Sequence, residues 1–171
     1  MNMIELLKDD HKSIVALITK LWHEVKEVEC TEQDVVDCER MRIFGQLRDA
    51  TTQYADIEGR FFYPALEEFV DTRALISEAN RAHQRIRALV GKMEGLRLAG
   101  QCDRWDDDLT QLIQSIQRHF DWEEHALFPK AIRLLGEARL EKMLFEMERV
   151  PGGRAETDTS VLSPRRSGVG I

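Results

Sequence analysis

Two phrases in this chain are written twice, and that duplication narrows the possible folds more than any other property. The stretch QYADIEGRFFYP at 53–64 returns as RHFDWEEHALFP at 118–129. In register, Asp56 matches Asp121, Glu58 matches Glu123 and Pro64 matches Pro129. Phe62 and Tyr63 stand opposite Leu127 and Phe128, and Tyr54 stands where the second copy has His119. HKSIVALITKL from His11 likewise pairs with HQRIRALVGKM from His83. A helical hairpin written twice gives four helices.

The apolar period is helical almost throughout. In the first segment Ile4, Leu7, Ile14, Ile18, Leu21, Val25 and Val28 step by threes and fours, or by seven across His11. A second stripe runs Leu47, Thr51, Tyr54, Glu58, Phe61, Ala65. A third runs Leu75, Ala79, His83, Ile86, Val90, Met93, and a fourth Leu109, Leu112, Ile116, His119, Glu123, Leu127. Breaks fall near Cys30–Asp34, near Val70–Thr72 and at Leu98–Arg104. Such short connections make neighbouring helices antiparallel. The expected fold is all-α, an up-down-up-down four-helix bundle occupying residues 1–150. A short fifth helix follows Leu135-Gly136 and ends near Val150. Residues 151–171 are rich in Gly, Pro, Ser and charge and read as a flexible tail, its Arg165-Arg166 pair included.

Composition removes several function classes. A net charge of -7 with no basic stripe argues against a nucleic-acid partner. No stretch reaches the roughly 20 apolar residues of a membrane span, and the N-terminus lacks an apolar run of signal-peptide length. Cys30, Cys38 and Cys102 are scattered and form no CxxC pair, so they read as reduced thiols of a cytoplasmic protein.

What does not belong in a bundle core is the polar content of its stripes. His11 lies on the first, Tyr54 and Glu58 on the second, His83 on the third, His119 and Glu123 on the fourth. Residues four apart share a helix face, so Tyr54 points with Glu58 and His119 with Glu123. In antiparallel helices, residues equidistant from the intervening turn lie level. The midpoint of His11 and Tyr54 falls between Glu32 and Gln33, that of Glu58 and His83 between Val70 and Asp71, and that of His83 and His119 at Gln101. All three midpoints lie in breaks, so the six side chains should converge. Buried carboxylates and imidazoles left unpaired cost several kcal/mol, and a metal cluster resolves this better than a polar network. Mixed nitrogen and oxygen donors with room for two ions favour iron or manganese. His23 lies about 120° from the stripe of His11, and His125 is nearly opposite Glu123, so neither is expected to reach the metal. Trp22 and Trp122 read as packing residues.

The ordered set His11, Tyr54-x-x-x-Glu58, His83, His119-x-x-x-Glu123, with a Pro six residues after each Glu, resembles the hemerythrin-like family, the HHE cation-binding domains. The resemblance covers roughly residues 4 to 134, and the general layout is similar to that of actinobacterial and mycobacterial members. It implies two iron ions, oxo- or hydroxo-bridged, with His11, His83 and His119 as terminal ligands and Glu58 and Glu123 as bridges. Manganese is the alternative metal. The family pattern has His where Tyr54 stands. A phenolate there is a hard anionic donor that favours ferric iron. Ala79, one turn before His83, supplies no further imidazole, so an oxygen carrier is disfavoured. The expected activity is disproportionation of hydrogen peroxide, with Tyr54 in a catalytic role. The alternative is a sensor or store for oxygen, nitric oxide or iron. Pro64 and Pro129 lack an N–H and are expected to free a carbonyl near Arg60 and His125, kinking each helix past the cluster.

Overall fold

A computed structural model describes residues 1–27, 39–98 and 102–151. The side chains at a few helix ends, His23 among them, lie outside the described set. So do the break near Cys30–Asp34, the side chains of all three cysteines and the tail from 152 onward.

Among the described residues the chain is a helical bundle with no strand. Helix α1 spans Met3–Glu27 and α2 spans Glu39–Ile57. A π-helical turn at Glu58–Phe62 joins α2 to the short α3, Tyr63–Glu67. A 3₁₀ turn at Val70–Thr72 leads into α4, Arg73–Leu98. Helix α5, Cys102–Trp122, passes through a second π turn, Glu123–Leu127, into α6, Phe128–Leu135. The expected fifth helix is α7, Glu137–Glu148. Helix α1 packs on α2, α5 and α7, α4 on α5, and α2 meets α4 more sparsely. No helix among the described residues is long and apolar enough to cross a membrane.

Local chemistry explains the ends. The Asn2 side-chain oxygen accepts from the N–H groups of Ile4 and Glu5, while the Asn2 N–H donates to Glu5 Oε2, a reciprocal cap on α1. The Asn2 amide also donates to Glu137 at 2.7 Å and ties α7 to the start of α1. Gly136 sits at φ 72°, ψ 163°, a conformation open essentially to glycine, and there the chain turns from α6 into α7.

The prolines act differently from the expected kink. In each copy the π turn begins at the cluster glutamate: the Tyr63 N–H bonds the Glu58 carbonyl and the Phe128 N–H bonds that of Glu123. Each bond spans five residues instead of four, so each turn carries one extra residue. Pro64 and Pro129 follow at the start of the next helix, where a missing N–H costs little. The apolar stripe shifts accordingly. Phe61 and Ala65, expected to face inward, are only half-buried, whereas Phe62, Tyr63 and Leu66 are buried.

Candidate metal centre

All six polar stripe residues are buried, Glu58 and Glu123 at 0% exposure. One ligand atom from each of Glu58, His83, His119 and Glu123 fits within a 4.8 Å span. His83 Nε2 lies 3.1 Å from Glu58 Oε2 and 2.8 Å from His119 Nε2. His119 Nε2 lies 3.3 Å from Glu123 Oε1. His11 and Tyr54 complete the other side: His11 Nε2 is 2.7 Å from the Tyr54 hydroxyl and 3.2 Å from Glu123 Oε2. The Tyr54 hydroxyl donates to that same Glu123 oxygen at 2.6 Å. Glu123 therefore turns Oε2 toward His11 and Tyr54 and Oε1 toward His119. The three imidazoles all aim Nε2 at the carboxylates.

Two further residues belong to the site. The Tyr63 hydroxyl donates to Glu58 Oε2 at 2.7 Å and to Glu123 Oε1 at 3.2 Å, so one phenol spans both carboxylates. Glu124 Oε1 lies 2.8 Å from His11 Nδ1 and fixes that ring from its outer edge. Phe120 stacks on His11, centroids 3.8 Å apart and planes 14° from parallel. Sequence reasoning missed Tyr63, although the hydroxyl it carries where the second copy has Phe128 was a readable signal. Nothing in the sequence distinguished Glu124 from a solvated neighbour of Glu123. His125 is exposed and bonds the Asp121 carbonyl, away from the cluster. Trp122 is half-buried and stacks beside His119, while Trp22 is 38% exposed.

Burial and the opposed carboxylates set the electrostatics. Burial, followed by the neighbouring charge of Glu58, holds Glu123 well above the usual carboxylate range. Burial also pushes Glu58 upward, but the hydrogen bond and charge of His83, with His119 and Tyr63, outweigh it and leave Glu58 lowered. Burial, then the charge of His83, pushes His119 down to about 3. Burial lowers His11 despite the hydrogen bond to Glu124. Burial, then Glu123 and Glu58, raises the Tyr54 phenol well above its ordinary value. Tyr63 is raised for the same reasons, burial first.

The donor set fits cations. Lone pairs outnumber protons: Tyr54 has one O–H for two acceptors, His11 Nε2 and Glu123 Oε2. Glu58 Oε1 and His119 Nδ1 are buried with no hydrogen-bond partner among the described residues. An acceptor surplus in a dry site is what a positive ion relieves. Comparison with curated proteins and with solved structures gives no match. Compared with known protein families, residues 2–131 match the hemerythrin HHE cation binding domain. That span contains both π turns and every residue of the cluster, and the chain belongs to the hemerythrin HHE cation-binding family.

Proposed function

We propose that the cluster holds two iron ions and that the protein disproportionates hydrogen peroxide, with His11, Tyr54, Glu58, His83, His119 and Glu123 as the ligands. The observation that carries this reading is the Tyr54 hydroxyl, 2.7 Å from His11 Nε2 and 2.6 Å from Glu123 Oε2. A phenol at that point becomes a hard anionic donor once a cation replaces its proton, and such a donor favours the ferric state. The raised Tyr54 pKa agrees with this, because its causes are burial and two carboxylates, and a bound cation opposes both. When bound, the two irons supply the electrons, one peroxide being oxidised to oxygen and a second reduced to water.

The chain's own residues do the rest. Glu123 bridges the two halves by dividing its oxygens, and Tyr63 holds both carboxylates in place. Glu58 Oε1, free of partners among the described residues, is the oxygen placed to take a proton from an incoming peroxide. Phe120 shields His11 from water. A cavity of about 40 Å³ reaches Tyr54, His83 and His119 where α2 and α4 pack sparsely. A water-sized probe occupies roughly 10–15 Å³, so two heavy atoms fit and an organic peroxide does not. The helices α1, α2, α4 and α5 are read as running up, down, up, down. Scattered cysteines without a CxxC pair suit a reducing compartment, and we place the protein in the cytoplasm.

The test is oxygen release on an electrode after adding peroxide to iron-loaded protein, with Tyr54→Phe in parallel. Many turnovers per protein, sharply changed in the variant, are expected. No oxygen from protein shown to contain iron would replace this reading with a sensor or store of oxygen, nitric oxide or iron.

A further inference from the structure

The three imidazoles differ at their outer nitrogens. A histidine that binds metal through Nε2 carries its proton on Nδ1, and that N–H almost always donates to a carboxylate, carbonyl or water. His11 has Glu124 for this, at 2.8 Å. His119 is 4% exposed and its Nδ1 has no partner among the described residues. Since His119 Nε2 faces His83 and Glu123, Nδ1 lies on the side of the ring turned away from the cluster.

His119 also lines a groove of about 220 Å³ on the outer side of α4 and α5. Arg85 from α4 and Arg118 from α5 line it too, and neither makes an ion pair or hydrogen bond among the described residues. Glu78 is the acidic residue of the lining, so the two guanidinium groups leave the groove net positive. Trp122, stacked on His119 with planes 16° from parallel, forms an apolar wall. The Ser115 hydroxyl is spent on the Gln111 carbonyl. Two unpartnered guanidinium groups beside a buried, unpartnered N–H form a donor set without an acceptor.

We propose that this groove binds a small oxyanion of the phosphate or sulfate class between Arg85 and Arg118, and that the anion accepts the Nδ1–H of His119. Guanidinium geometry suits such oxygens. The anion does for His119 what Glu124 does for His11, but exchangeably. Its occupancy sets the basicity of one ligand, so the centre responds to the anion concentration around it. The inference rests on His119 holding metal through Nε2.

The experiment titrates inorganic phosphate into the full metal-loaded chain at constant ionic strength, followed by calorimetry. Metal content is measured first, so a failure to hold metal is separated from a failure to hold phosphate. Saturable binding is expected, weakened roughly tenfold or more in the Arg85→Ala/Arg118→Ala variant, whose positions are exposed. In zinc-loaded protein the His119 Nδ1 proton resonance is expected to move with phosphate, and to stop moving in the double variant. Metal-loaded protein that shows no saturable binding, binding indifferent to both arginines, or an unmoved His119 resonance overturns the proposal.

Discussion

The two copies of the repeated phrase occupy the same centre and have diverged in what they offer it. The first brings two phenols and a carboxylate, Tyr54, Tyr63 and Glu58. The second brings an imidazole, a carboxylate and a plain phenyl ring, His119, Glu123 and Phe128. Their glutamates are displaced in opposite directions, Glu58 downward and Glu123 upward. Glu58 has His83 and Tyr63 close at hand, whereas burial and the charge of Glu58 dominate at Glu123. A duplicated scaffold thus supplies position twice, and single substitutions on it supply chemistry once.

The comparison breaks most severely at its shared member. Glu123→Ala removes the carboxylate that serves both halves, and metal retention is expected to fall by more than ~100-fold, above the loss typical of a supporting residue. Elemental analysis after dialysis against a chelator checks this. Tyr54→His makes the copies alike at that position. The visible charge-transfer band of a ferric phenolate is expected to vanish while metal content stays, and peroxide turnover to drop by roughly tenfold or more, since a ligand sets the metal's redox preference. A variant that keeps both band and turnover would show that Tyr54 is not a ligand.

Tyr63→Phe gives the first copy the ring of the second and takes one donor from two buried carboxylates. A loss of about 1–3 kcal/mol in urea unfolding of the metal-free protein is expected. Protonation sharpens the contrast under the same chelated conditions. With a folded pKa of about 3, His119 stays neutral while the unfolded chain takes up its proton below the ordinary value of 6.5. The unfolded state then binds more protons, so this contribution lowers stability as pH falls from 6.5 toward 3. Glu123, raised, runs the other way: its contribution is present below the ordinary carboxylate pKa and is lost as pH rises toward its folded value. Unfolding at pH 7 and 5.5 is expected to show a shallower decline in His119→Gln. The smallest effect is expected from Glu124→Gln, whose partner contact is 40% exposed on the carboxylate side, with metal affinity reduced by ~10-fold or less.

Six polar residues on apolar stripes were legible because helical period and matched levels are properties of spacing alone. The helix α7 was legible from Gly136 and the apolar residues that follow. What spacing could not convey was a change of period. The stripe through Tyr54 and Glu58 continues on a regular helix to Phe61 and Ala65, yet the buried residues are Phe62 and Leu66. The prolines marked the place, but the five-residue hydrogen bonds just before them depend on tertiary packing. Tyr63 went unread as a site residue for the same cause, since five positions on an ideal helix put it about 140° from Glu58.

The π turns also bear on how deletions would act here. Removing a single residue between Glu58 and Tyr63 would return the segment to regular four-residue bonding, and by local hydrogen-bond criteria the helix would improve. Everything after the deletion would rotate by about 100° relative to what precedes it. The phenol that now spans Glu58 and Glu123 would swing off the centre, and Phe62 and Leu66 would leave the core with it. The surplus residue in each copy is a phase adjustment, and in this family member the length of the phrase matters as much as its letters.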